Sequence, residues 1–420
     1  MRKLIGVVAV TGGLALALSA TAPLTPAIAA PGNPIAGFEY VALGDSYAAG
    51  FGLLPVSESS PFPGTPNGCY QAETNYPHLV ATDLGLTLTD QTCSGAITAN
   101  VGYEAGVSIP SPPATGPLLG LPTGSEPQTT ASGMVAPDVQ SAGLSTSTDI
   151  VTVSIDGADL GFASIATACV RMSVGAGSNP VLLDYAESIE VDNCQQYFDD
   201  QAAYPGSYLK DRLATFVAPR IEATLAHIRE AAPNAQVFVV GYPQLTPGSA
   251  TDTCFTPPGS PDAVPLSGVD LNYINEIEHL LDEELHTAAT AHGAHYIHTW
   301  GDTPEHTLCT PDPWITGLTG YLNLSATCDP GYIKGDEDGW VCVQFGALHP
   351  NSDGVESLRQ LVAAQIPTAF FTTIIDGNFE PGGTMTVEGG GFYPGETVEL
   401  VLHSTPVTVA TVTANALGGF

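Results

Sequence analysis

Five short apolar runs, residues 38–43, 86–90, 150–155, 236–240 and 295–299, are separated by stretches with helical periodicity. No other feature constrains the fold so tightly, because strands that alternate with helices pair in parallel and bury both faces of their sheet. Helix patterns cover residues 75–84, 207–230 and 269–292. In the last, Leu271, Ile274, Ile277, Leu281 and Leu285 recur at helical spacing and define one buried stripe. The sequence therefore predicts an α/β domain with a parallel central sheet and helices on both faces. A chain of 420 residues with 44% apolar content has ample material for its core.

The first of these runs breaks abruptly, in Tyr40-Val41-Ala42-Leu43-Gly44-Asp45-Ser46, into a turn of small residues. Such a turn can hold a hydroxyl at the carboxyl end of a sheet, where open α/β folds place their chemistry. Ser46 is thus a candidate nucleophile. A serine in this place could equally cap the next helix. What favours the nucleophile is Leu348-His349-Pro350-Asn351, which offers an imidazole to take the serine proton.

These residues resemble the secreted branch of the GDSL, or SGNH, hydrolases, a family marked by four short blocks. The Gly-Asp-Ser block matches at Gly44, Asp45 and Ser46, the glycine block at Cys93-Ser94-Gly95-Ala96, and the His-Pro-Asn block at His349, Pro350 and Asn351. The remaining block usually reads Gly-Gly-Asn-Asp-Leu-Gly-Phe; here it is Asp156-Gly157-Ala158-Asp159-Leu160-Gly161-Phe162, without the asparagine. The resemblance implies a three-layer, flavodoxin-like domain. It also implies a secreted serine ester hydrolase, an esterase or lipase working by acyl transfer on a small-molecule or lipid ester and needing no cofactor or metal. His349 would take the proton from Ser46, and the main-chain amides of Ser46 and Gly95 would hold the oxyanion.

Two departures from the family carry chemical consequences. The missing asparagine is one of three oxyanion donors, and losing one such donor is worth on the order of 3 to 4 kcal/mol, roughly a hundred- to a thousand-fold in rate. Most members also carry an aspartate three residues before the histidine, where this chain has Gly346. Some secreted relatives use a main-chain carbonyl from that position, so the resemblance assigns the Gly346 carbonyl to orient the imidazole. Asp353 is a rival that fits better in the helix starting near Asn351. Asp45 is expected to bond amides of its own turn.

Residues 1–29 have the pattern of a secretory signal, with Arg2 and Lys3, an apolar stretch and Ala27-Ile28-Ala29. No other segment reaches the twenty apolar residues of a membrane span. Eight cysteines in an exported chain favour disulfides, and eight allow 105 pairings. The family's habit of sequential pairing suggests Cys69 with Cys93, Cys169 with Cys194, Cys254 with Cys309, and Cys328 with Cys342. With 9 Lys plus Arg against 43 Asp plus Glu, the net charge of −34 repels phosphate backbones and anionic lipid, which excludes nucleic-acid partners.

The hydrolase domain is expected over residues 36–366. Inside it, the Pro- and Gly-rich segment 106–135 is long for a loop and reads equally as a lid over the acyl site or as a plain surface excursion. Asp336-Glu337-Asp338 reads as an acidic surface turn, with calcium binding the alternative. Trp314 could line an acyl pocket or simply pack. Residues 367–420 change texture to Gly-rich, strand-like pieces similar to small β-sandwich modules. That stretch falls short of the seven strands and hundred residues of a whole sandwich, so an incomplete module is expected, and its role would be association with the cell envelope. The alternatives in function are a non-catalytic ligand-binding surface protein that kept the fold, and a carbohydrate deacetylase or phospholipase.

Overall fold

The computed structural model describes residues 3–6, 35–56, 69–102, 140–162, 165–166, 169, 193–201, 204–256, 264–318, 320–322, 332–334, 341–370, 372–377, 385–390, 397–403 and 406–413. The segment 106–135, the acidic turn 336–338, Cys328 and residues 7–29 of the leader lie outside them. Two compact units emerge, residues 38–363, and residues 1–37 with 364–420.

The larger unit is built on five parallel strands: β1 (Glu39–Gly44), β2 (Thr87–Asp90), β3 (Ile150–Ser154), β4 (Gln236–Val240) and β5 (His295–Ile297). Their order across the sheet is β2-β1-β3-β4-β5, the doubly wound flavodoxin-like order. Tyr40 stands opposite Ile150 and Gly44 opposite Ser154, while Ile150 stands opposite Gln236. β3 is buried along its whole length, as a strand covered on both faces must be. All five are the runs expected from sequence, shifted by a residue or two at their ends. Because β1 and β3 leave the sheet in opposite directions, a crevice opens at their carboxyl ends, and Ser46 sits there.

The helices that cover the sheet begin and end where the sequence supplies caps. In α2 (Tyr76–Leu84) the Asn75 side chain accepts from the His78 amide, Pro77 occupies the first turn, and Gly85 closes the helix in the left-handed conformation. α6 (Gly268–Ala291) starts at Ser267, whose hydroxyl accepts from the Asp270 amide. Its stripe is as expected: Leu271, Ile277, Leu281 and Leu285 are buried, and Ile274 is partly so.

The expected helix 207–230 divides into Tyr208–Arg212, a π-helical turn Leu213–Val217, and α5 (Ala218–Ala231). Pro219 is the physical reason, since it cannot donate to the carbonyl four residues back. Two buried guanidiniums, Arg212 and Arg220, lie over the Phe216 ring of that turn at 4.4 and 4.0 Å from its centroid.

Three of the expected disulfides are present, Cys69–Cys93, Cys169–Cys194 and Cys254–Cys309. In the smaller unit, Thr372–Gly377 pairs antiparallel with Met385–Gly390, and Thr397–His403 pairs with Pro406–Thr413 and with Lys3–Gly6. Among the described residues no helix is long and apolar enough to cross a membrane.

Candidate active site

At the end of β1 the backbone passes so close to β3 that a Cβ on Gly44 would lie 2.4 Å from the Ser154 carbonyl oxygen, and its φ is +143°. Only glycine fits this place. The Gln140 side chain then pairs both main-chain groups of Gly44, accepting from its amide at 2.8 Å and donating to its carbonyl at 2.9 Å. The Asp45 amide donates to the Ser154 carbonyl. Chain direction is thereby fixed just before Ser46, the first residue of the short helix α1 (Ser46–Ala49). An amide in the first turn of a helix has no intrahelical acceptor, so that of Ser46 remains available.

The chain after β2, which carries the second amide expected in the oxyanion hole, is tied to the same turn. The Cys93 amide donates to the Gly44 carbonyl at 3.0 Å, and the Cys69–Cys93 disulfide anchors the same turn. Two residues on, Gly95 is exposed with φ +83°. Thr98 of α3 (Thr98–Val101) gives both its amide and its hydroxyl to the buried Asp159 carboxylate, each at 2.7 Å. Asp159 belongs to α4 (Gly157–Leu160) and is ion-paired with the buried Arg220 at 3.1 Å. This carboxylate ties the glycine-block helix to the turn after β3.

Ser46 Oγ lies 2.7 Å from His349 Nε2. On the other side of the ring, Nδ1 is 2.8 Å from the Ala347 carbonyl oxygen. A carbonyl only accepts, so Nδ1 carries the hydrogen and Nε2 is left to accept from the serine hydroxyl. This corrects the expectation for Gly346, whose carbonyl instead accepts from the His349 main-chain amide at 3.0 Å. Gly346 is glycine for another reason: its Cβ would lie 2.7 Å from Gly52 Cα, and a Cβ on Gly52 would lie 2.4 Å from Gly346 Cα. The loops bearing Ser46 and His349 touch backbone to backbone.

The histidine loop is held firmly. Leu348 has φ +62°, a costly conformation for a residue with a side chain. Its carbonyl accepts from the Tyr47 hydroxyl at 2.7 Å and its amide donates to Thr316. The Asn351 side chain accepts from the Asp353 and Gly354 amides, capping α7 (Ser352–Phe370), and donates to the Pro313 carbonyl. Asp353 is therefore a first-turn residue of that helix. Rings of Tyr47, Phe51 and Phe162 surround the imidazole at centroid distances of 4.8, 5.0 and 5.7 Å. Burial among them pushes the imidazole pKa down to about 4, with the Ala347 carbonyl opposing that shift. The ring is a neutral base at neutral pH.

Tyr242 belongs to no block of the sequence motif, yet it stands in the site. Its hydroxyl donates to Asp45 Oδ2 at 2.6 Å and accepts from the Gly157 amide at 2.9 Å. Asp45 Oδ1 accepts from the Tyr47 amide, as expected, but the second oxygen was not foreseen. Burial raises the Asp45 carboxyl to about 7, even though the Tyr242 and Tyr47 hydrogen bonds favour its charged form. The available signal was Gly241-Tyr242-Pro243, a polar ring at the carboxyl end of a strand. Asp156 stands at φ +112° with a fully buried carboxyl beside the Tyr242 hydroxyl. Burial first, and the Asp159 and Asp45 charges second, raise its pKa well above the usual carboxylate range. Ala158 follows two residues later, partly exposed and with no side-chain donor. Trp314, a candidate for an acyl pocket, stacks on His306 with ring centroids 3.7 Å apart.

The model of the GDSL-like Lipase/Acylhydrolase family matches residues 42–356. The chain belongs to that family. Among curated relatives, "Lipase 2" of Streptomyces coelicolor is 32% identical over 310 residues, covering 73% of this chain and 84% of the relative. An "Esterase" of Streptomyces scabiei is 29% identical over 374 residues, covering 85% and 92%. A crystal structure of phospholipase A1 from Streptomyces albidoflavus NA297 aligns over 79% of this chain and 100% of that one, with 21% identity and a TM-score of 0.48. In this GDSL-like chain the serine, glycine and histidine blocks all meet at the β1/β3 crevice.

Proposed function

We propose that the protein is an exported serine ester hydrolase that works through an acyl-enzyme. The observation carrying this reading is the 2.7 Å contact between Ser46 Oγ and a His349 ring whose tautomer is set by the Ala347 carbonyl. His349 Nε2 removes the hydroxyl proton as Ser46 Oγ bonds to the ester carbonyl carbon, and the Ser46 and Gly95 amides receive the oxyanion. The tetrahedral intermediate collapses by breaking the carbon–oxygen bond to the alcohol, which leaves with the proton held on Nε2. Water then repeats the sequence on the acyl-serine, releasing the acid and the free hydroxyl.

A carbonyl stabilises the imidazolium less than a carboxylate does, and the ring's low pKa makes it a weak base. Together with Ala158, these features predict modest turnover. Apolar surroundings support an acyl ester: Tyr47, Leu245, Leu308, Ile315, Leu318 and Leu348 form one cluster, with Phe162 and Tyr242 packed against it. The named lipase and esterase relatives support the same class. The disulfides support an extracellular setting, and the all-β strands after residue 372 support a small appended module for association with the cell envelope.

Hydrolysis of p-nitrophenyl esters of graded chain length tests the reading. Wild-type protein should release nitrophenol and gain the mass of one acyl group on Ser46 when quenched early. Ser46→Ala and His349→Ala should each lose at least a thousandfold in kcat. Background rates equal to those of Ser46→Ala would leave only a ligand-binding relative of the family.

A further inference from the structure

Tyr242 stands where three segments of the site meet, and the reaction scheme leaves its hydroxyl unused. It follows β4, whereas Asp45 follows β1 and Gly157 follows β3, so one hydroxyl joins the ends of three strands. With Ala158 in place of a side-chain donor, the oxyanion hole depends on main-chain amides, and their orientation depends on how these turns are held. Both oxygens of Asp45 are engaged, one by the Tyr47 amide and the other by Tyr242. The Ser46 peptide group lies between Asp45 and Tyr47 and is therefore restrained at both ends.

A second route leads from Tyr242 to the histidine. Its ring meets Tyr47 edge to face at 5.0 Å and 88°, and the Tyr47 hydroxyl donates to the carbonyl of Leu348, the residue before His349. Edge-to-face aromatic pairs resist sliding, because the positive rim of one ring sits on the negative face of the other.

We propose, on the serine-hydrolase reading above, that Tyr242 is a positioning residue: its hydroxyl, bridging Asp45 and the Gly157 amide, fixes the Ser46 peptide for attack and oxyanion binding. Tyr242 does not touch the reacting atoms; it acts through Asp45 and Tyr47. The groups around the Asp45 carboxyl are Tyr47 on its own helix, Tyr242 after β4, Asp156 and Asp159 at α4, and Tyr76 of α2. Of these, Tyr242 and the Tyr47 amide favour the charged carboxylate, and Asp159 opposes it.

Tyr242→Phe keeps the ring and removes both hydrogen bonds. The expected result is a fall of tenfold or more in kcat on a p-nitrophenyl ester with KM within twofold. Reaction of Ser46 with a fluorophosphonate should slow in step. Carbon NMR of Asp45 should show its titration midpoint moving upward from about 7, because the hydroxyl that favoured the charged form is gone. Unchanged kcat, or an activity loss equal to the loss of folded protein by circular dichroism, would overturn the proposal. So would an unmoved Asp45 midpoint. If wild-type protein neither hydrolyses esters nor reacts with the fluorophosphonate, the ester-hydrolase reading fails; the Asp45 titration in Tyr242→Phe still reports whether the hydroxyl holds the turn.

Discussion

At the scale of single residues, what counts is whether each atom has room and a partner. Gly346 looked like a source of a carbonyl, yet the structure makes it a point of backbone contact with Gly52. Gly346→Ala would force a methyl into that contact at φ +85°. The expected cost is about 2 kcal/mol or more, read as a lower melting temperature, with kcat falling as His349 shifts. Asp156 makes the opposite case, since a positive φ and the burial of its carboxyl both weigh against the fold. Asp156→Gly should stabilise the protein by roughly 1 to 3 kcal/mol, raising the melting temperature by several degrees. Ala158→Asn should raise kcat by as much as about a hundredfold, the worth of one oxyanion donor; no gain in a folded variant would show that the hole is complete without it. The Ala347 carbonyl was not legible in sequence, because one residue of shift in a tight turn decides which oxygen faces the ring.

At the scale of elements, the site is an agreement among turns, and the buried Asp159 is the clearest link. It receives Thr98 of α3, pairs with Arg220 of α5, and its main-chain carbonyl accepts from Arg212 at 2.6 Å. Asp159→Asn would remove the carboxylate charge that faces the buried Arg220 guanidinium. Breaking one side of a buried pair in this way costs about 3 to 5 kcal/mol, which guanidinium-chloride denaturation would measure. The variant should also lose turnover, because the Gly95 turn and the Ala158 turn lose their common anchor. Of these elements the sequence marked the strand before Asp159 and the helical stretch that holds Arg220, but not the one-turn helices α3 and α4, which are too short to show a period. It gave no sign that Arg220 crosses to Asp159, since pairing between residues so far apart in the chain depends on how α5 lies against the sheet.

At the scale of the whole molecule, buried carboxyls set the response to pH. Burial raises Asp45 to about 7 and Glu278 to about 8, and raises Asp156 and Asp159 as well. Between the ordinary carboxylate range and these values, the folded state holds protons that the unfolded chain has released, so stability falls as pH rises through about 4 to 8. His349 works the other way: its pKa is lowered to about 4, and the stability tied to its neutral form is lost as pH falls from 6.5 toward 4. Burial lowers His295 as well, but a lowered imidazole costs no stability above its ordinary pKa; with several raised carboxyls, and a net charge of −34 adding repulsion at high pH, the melting temperature should be higher at pH 6 than at pH 9. A scan that rises with pH would contradict the assigned carboxyls. The sequence by itself determined the parallel sheet, the main helices and the two ends of the candidate dyad, because hydrophobic period and short motifs are local signals, while the disulfide pairing came only from the family resemblance. Tertiary structure alone decided which carbonyl steers His349, that Gly52 and Gly346 touch, and that Tyr242 joins three strand ends. Those depend on where the β1/β3 crevice brings distant backbone within about 3 Å, a distance that hydrogen bonds require and no sequence spacing encodes.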